Sequence, residues 1–232
     1  MITNSDIPDR SVDLVITDPP YFDQVAYSEY LKIWEYICHL ESHLNDEIVL
    51  SNRKVSPSTG EQYLDKLTEC FKVVSGKLKD EGLAIIFFKD SKPNNIYHFL
   101  KAMEKSNLFF MRSVHIGNKK FTYKQNTSQY TTVGGECLFF FKKCMNYNSI
   151  VTEEKSISKD ELINKIEKVV YEFSKQYLEE NEHASLGELY DNGLLLSLYE
   201  NNLLQKIKHA KTIVNILNTN FHLKDDRNYT ID

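Results

Sequence analysis

Residues Val12-Asp13-Leu14-Val15-Ile16-Thr17 form a short β-branched, apolar run that halts at Asp18-Pro19-Pro20. No other feature constrains the fold so tightly. Val, Ile and Thr are stiff at χ1 and suit extended backbone. Proline has no N–H to offer a central ladder, so a strand must stop where two of them follow. The pattern predicts a buried strand that ends at Thr17 and releases the chain into a stiff loop carrying a carboxylate and then Tyr21.

The rest of the chain alternates in kind. Tyr27, Tyr30, Leu31, Trp34 and Ile37 recur at helical spacing between Tyr27 and Leu40, with Trp34 expected in the core. Residues 51–60 read as an exposed loop with Arg53 and Lys54. Tyr63, Leu64, Leu67, Cys70, Phe71, Val74 and Leu78 then predict an amphipathic helix ended near Asp80-Glu81-Gly82. Leu83 to Phe88 is continuously apolar, as in a strand covered on both faces. A helix is expected over Asn94–Lys105, and strands over Phe109–Ile116 and Glu136–Phe141, joined by a loop with Lys119, Lys120 and Lys124. Strand, helix, strand, helix and a closing strand pair describe half of a doubly wound α/β sheet over residues 1–145. Residues 146–232 predict a helical C-terminal appendage, with helical patterns over Ser158–Tyr177 and Gly193–Leu217. The acidic excess lies there, which favours docking over DNA contact.

Composition narrows the function classes. An apolar fraction of 41% supports a packed core, and a net charge of -5 excludes a chain coated in basic residues, though not a local basic strip. Four cysteines without a C-x-x-C pair suit neither a zinc site nor a disulfide framework; they read as reduced, buried thiols in an intracellular protein. No metal is expected. No stretch approaches the roughly 20 apolar residues that cross a bilayer, and the polar N-terminus has no signal-peptide character, so a cytoplasmic protein without a membrane segment is expected.

The chemistry sits in Asp18-Pro19-Pro20-Tyr21. An exocyclic amine of a nucleobase is a poor nucleophile because its lone pair is delocalised into the ring. A carboxylate can accept one of its N–H bonds, the Pro19 carbonyl can accept the other, and Tyr21 can stack on a base flipped from a duplex. Prolines fix these acceptors in advance.

Thr17-Asp18-Pro19-Pro20-Tyr21 after an apolar strand resembles the catalytic motif of the amino-methyltransferases that modify adenine N6. The run from Ser11 to Ser28 resembles a branch of bacterial adenine-specific DNA methylases, in which an aromatic-Asp-x-Val-x-Tyr segment and an aromatic helix follow the motif. The resemblance extends over residues 6–143. It implies a partial Rossmann-like methyltransferase sheet, the catalytic half, with S-adenosylmethionine as cofactor and DNA as partner. Asp18, Pro19, Pro20 and Tyr21 would be catalytic, and Asp in place of Ser at position 18 favours adenine over cytosine. Phe22 and Tyr27 become candidates for the base pocket, with a core role for either left open. Arg53, Lys54, Lys119, Lys120 and Lys124 become candidate phosphate contacts, against a reading as solvated loop charges. His115 and Lys89-Asp90 follow strands toward the same edge, but the reaction needs no histidine base and they receive no catalytic role.

One expected part is missing. Cofactor binding in this fold uses a glycine turn after the first strand, where the backbone must come close to the methionine end of the cofactor. None of the eight glycines forms a G-x-G, and Gly134-Gly135 reads as a bulge or turn before a late strand. The cofactor site is therefore incomplete in this chain. A second polypeptide or self-association is expected to cover the sheet edge beside residues 12–17. The alternatives are a non-catalytic DNA-binding or assembly subunit derived from a methyltransferase, and an RNA methyltransferase.

Overall fold

The structure is a computed structural model and describes residues 6–20, 27–39, 48, 60–88, 90, 92–116, 136–144, 158–224 and 228–231. Strand β1 (Val12–Thr17) lies where the β-branched run predicts it, followed by helices α1 (Tyr27–Cys38) and α2 (Gly60–Lys77). Strand β2 (Leu78–Phe88) is parallel to β1, so the chain carrying both helices is the crossover that a parallel pair requires. Helix α3 (Pro93–Glu104) leads to β3 (Leu108–Ile116), and β4 (Glu136–Lys143) inserts antiparallel between β2 and β3. The sheet order is β1-β2-β4-β3, a mixed α/β sheet.

One face of this sheet is closed. Ala84, Ile86 and Phe88 of β2 and Phe139 and Phe141 of β4 are buried, together with Tyr63, Leu67 and Phe71 of α2 and Phe99 and Leu100 of α3. Phe88 stacks on Phe99 with centroids 4.0 Å apart, and Phe139 meets both edge-on. The opposite face is not closed by the described residues. Leu14, Ile16 and Leu83 are 46%, 60% and 41% exposed, and Ile85, Phe87, Leu138 and Phe140 are half-buried. The expectation that β1 is a buried strand and that Leu83–Phe88 is covered on both faces is thus corrected. Continuous apolar sequence records what the strands are suited to, and among the described residues only one full layer meets them. The same correction applies to Trp34, expected in the core and found 61% exposed on α1.

The helix expected to reach residues 80–82 stops at Lys77, and the strand begins at once. Pairing jumps from Val12 opposite Leu78 to Leu14 opposite Leu83, so the intervening residues of β2 form a bulge. Glu81 has φ 67, and a Cβ on Gly82 would stand 2.8 Å from the Lys79 carbonyl oxygen, which only glycine avoids. Turn-forming residues kink a strand here instead of ending a helix. Beneath the bulge, Lys143 is buried, and its ammonium donates to the Leu78 carbonyl at 2.7 Å with Asp80 3.7 Å away.

The C-terminal region is helical, as expected, but more broken. Helix α4 (Lys159–Asn181) is N-capped by Ser158, whose hydroxyl accepts from Glu161 N at 3.2 Å. There follow β5 (His183–Ser185), α5 (Leu186–Leu189), a π-turn (Tyr190–Leu194), α6 (Leu195–Glu200), a 3-10 turn (Leu204–Lys206) and α7 (Lys211–Asn220). The single helical pattern expected over Gly193–Leu217 breaks after α6, where Asn202 adopts φ 55, and Gly193 at φ 129 lies inside the π-turn. Strands β6 (His222–Leu223) and β7 (Asn228–Thr230) complete a small antiparallel sheet in the order β5-β7-β6. Strands of two or three residues are too short for periodicity to disclose. This region packs on α3 and β3: Tyr199 Oη donates to Glu104 Oε2 at 2.5 Å, and Lys101 lies 5.4 Å above the Tyr199 ring.

Among the described residues no helix is long and apolar enough to cross a membrane. The four cysteines are free thiols; Cys137 is buried, but Cys38 is exposed and Cys70 and Cys144 are intermediate, so the expectation of buried thiols holds for one position only. Replacing Lys143 by Met leaves the Leu78 carbonyl without its buried donor. We expect a loss of about 1–3 kcal/mol, read from urea unfolding curves with an unchanged slope.

Candidate functional site

The strand register gathers several sequence-distant residues at one end of the sheet. Asp18 follows the last residue of β1 and Asp90 comes just after β2. Phe88 pairs with Cys137 and Ile116 with Glu136, so β4 begins and β3 ends at that same edge. This is the carboxyl edge of the parallel pair, where open α/β sheets place their sites. Asp18 is exposed, and Pro19 and Pro20 are half-buried.

Beneath the loop stands Tyr63, wholly buried on the first turn of α2, whose hydroxyl donates to the Pro20 carbonyl at 2.6 Å. Burial, with the Asp90 carboxylate nearby, pushes this phenol well above its ordinary range, so it remains a protonated donor at any working pH. Asp90 accepts from Lys92 N at 2.7 Å and from Asn95 Nδ2 at 2.8 Å, which ties the turn after β2 to the start of α3. Sequence reasoning placed Tyr63 among the apolar residues of a helix. Helical spacing reveals which face a tyrosine occupies, but not which distant carbonyl its hydroxyl meets.

Of the other expected site residues, Tyr21, Phe22, Arg53, Lys54, Lys119, Lys120 and Lys124 lie outside the described residues, as do Lys89 and Gly134-Gly135. Tyr27 opens α1, with its side chain outside the described set.

A second cluster lies on the β3 side of the same edge. Asp191, from the π-turn, accepts from Ser113 Oγ at 2.8 Å and from His115 N at 2.6 Å, and its Oδ1 lies 2.6 Å from His115 Nδ1. Cys137 Sγ stands 3.9 Å from the same ring nitrogen. His, Cys and Asp in one place suggest a metal, but two ligands of one tetrahedral zinc stand roughly 3.3 Å apart. A proton, not an ion, joins imidazole and carboxylate at the shorter spacing. Burial, reinforced by Asp191, pushes the Cys137 thiol up to about 12. The cluster is a hydrogen-bonded clamp that fastens the C-terminal region to the end of β3. Asp191→Asn should cost about 2–3 kcal/mol, measured by denaturant unfolding. In the native chain at pH 8, a thiol reagent should label exposed Cys38 readily and leave Cys137 unmodified until unfolding; mass spectrometry of the labelled peptides decides this.

The described glycines do not build a cradle for a cofactor. Gly60 and Gly76 lie in α2, Gly82 in the bulge, and Gly187 and Gly193 in the C-terminal region. None forms a turn after a strand at the site edge. Among the described residues, none of the five glycines sits where a backbone cradle for the methionine end of S-adenosylmethionine is expected.

A family model described as DNA methylase, covering N6 and N4 amino-methyltransferases, matches residues 12–225. No curated protein matches the chain. Among solved structures, the PvuII DNA methyltransferase (cytosine-N4-specific) is 13% identical over 69% of this chain and 57% of its own, with a TM-score of 0.38. A candidate DNA modification methylase of Thermus thermophilus, solved with S-adenosyl-L-methionine, is 17% identical over 72% of this chain and 70% of its own, with a TM-score of 0.33. The chain thus spans little more than half the length of the PvuII enzyme. With a family model matched along nearly its whole length, the chain belongs to the N6/N4 DNA methylase family, whose methyl donor is S-adenosylmethionine.

Proposed function

We propose that this chain holds the methyl-accepting base in a DNA adenine-N6 methyltransferase of the cytoplasm. The observation that carries the reading is the Asp18-Pro19-Pro20 loop at the carboxyl end of β1, held from below by Tyr63. Asp18 accepts one N–H of the flipped adenine's amino group and the Pro19 carbonyl accepts the other. Two acceptors out of the ring plane draw the nitrogen toward a tetrahedral shape and free its lone pair for attack. Tyr21 stacks on the base, and Phe22 and Tyr27 border it. Arg53, Lys54, Lys119, Lys120 and Lys124 contact phosphates.

The donor side comes from outside this chain's described residues, either from a second polypeptide or from another copy. Two features support that assignment. Strand β1 ends the sheet with one edge unpaired among the described residues, and the apolar face bearing Leu14, Ile16 and Leu83 is half-open beside it. A strand laid along β1 would satisfy that edge and stand next to Asp18. The absence of a donor cradle among the described residues equally favours a second reading, a non-catalytic DNA-binding or assembly subunit that retains the acceptor loop.

Two measurements separate these. In the enzyme completed by its donor-binding part, Asp18→Ala should lower methyl transfer to DNA by about 10²–10³-fold or more, and persistent turnover sinks the assigned role. Titration calorimetry of S-adenosylmethionine into the chain alone should show no binding. Micromolar binding would place the donor site within this chain and remove the need for a partner.

A further inference from the structure

We propose that Tyr63 is a positioning residue of the methyl-acceptor site: its hydroxyl anchors the far end of the Asp18-Pro19-Pro20 loop, so that the Asp18 carboxylate and the Pro19 carbonyl keep a fixed direction. The inference rests on the reading of that loop as the acceptor of the amino group.

The loop is a short strut. Its near end is fixed where Thr17 pairs with Ile86, the last rung between β1 and β2. Along the strut, the proline rings lock φ of Pro19 and Pro20. A residue before proline is confined to extended ψ, which restricts Asp18 and Pro19 as well. Two soft backbone torsions are left, φ of Asp18, which swings the Pro19-Pro20 segment as a unit, and ψ of Pro20, which swings the Pro20 carbonyl; holding that carbonyl restrains both. The Tyr63 hydroxyl holds that carbonyl at 2.6 Å. A strut fastened only at Thr17 would be a cantilever; Tyr63 makes it a beam held at both ends.

The anchor is itself rigid. Tyr63 is 0% exposed, and Leu67 and Phe71, one and two turns further along α2, are buried in the same core. The hydroxyl matters beyond the ring's packing, since phenylalanine would fill the space without donating. Because the phenol stays protonated, the anchor does not switch with pH. An acceptor pair is sensitive to such an anchor, since displacement by about 1 Å can cost 100-fold in rate.

The test uses the enzyme completed with its donor-binding part and compares Tyr63→Phe, Leu67→Ala and Asp18→Asn. Tyr63→Phe should lower kcat by about 10-fold to 100-fold and leave KM for DNA within about twofold. Leu67→Ala removes core packing from the same helix without touching the loop, so it should lower stability more and kcat less. Equal kcat for Tyr63→Phe and the parent, or a loss no larger than that of Leu67→Ala, overturns the role. Asp18→Asn separates the two claims. If it abolishes transfer while Tyr63→Phe is normal, only the Tyr63 role falls; if it retains transfer, the acceptor reading falls and takes the Tyr63 role with it. A second readout needs no cofactor. In the chain alone, labelled with carbonyl-13C proline, Tyr63→Phe should move the Pro20 carbonyl resonance upfield as its hydrogen bond is lost, and Leu67→Ala should leave it in place. An unmoved resonance in Tyr63→Phe overturns the anchor.

Discussion

The parallel pairing of β1 with β2, from Leu14 opposite Leu83 to Thr17 opposite Ile86, carries the weight of this structure. It is the only ladder that β1 makes among the described residues. Asp18 stands where that ladder ends, so the place of the carboxylate in space follows from the last rung. Everything that steadies β2 therefore steadies the site. The Phe88, Phe99 and Phe139 cluster supports the carboxyl end of β2, and the buried Lys143 fastens the bulge at its other end.

The sheet is asymmetric in a way that bears on function. Its β3 edge is occupied, because the C-terminal region packs there and Asp191 accepts three hydrogen bonds from Ser113 and His115. Among the described residues its β1 edge ends the sheet, and Leu14 and Ile16 are 46% and 60% exposed. Exposed apolar area next to an unpaired strand is a liability that proteins cover. Among the described residues, the edge left unpaired is also the one from which the Asp18-Pro19-Pro20 loop leaves the sheet.

The C-terminal region has a more intimate structural part than its acidity alone suggests. Its π-turn supplies the carboxylate that fixes the end of β3, and Tyr199 bonds to Glu104 at the end of α3. Extra residues in a helix that aim a side chain at a neighbouring element are a known use of π-turns. The region thus braces the sheet from the side opposite β1.

The sequence by itself determined the strand that ends at Thr17, the proline-stiffened turn that follows and the alternation of strands and helices through β4. These rest on local physics: β-branched residues extend, prolines stop a ladder, and apolar residues recur every three or four positions in a helix. It also shows that none of the eight glycines is arranged as G-x-G, because that feature is written in neighbouring residues. Tertiary structure alone decided which faces are covered, since Leu83–Phe88 reads the same with one layer or two. It moved Trp34 into solvent, turned Asp80-Glu81-Gly82 from a helix stop into a strand bulge, and brought Asp191 to His115 and Tyr63 to Pro20. Those contacts join residues 76 and 43 positions apart. A hydroxyl or carboxylate carries no local mark of its distant partner, and only the packing of helices on the sheet brings the two together.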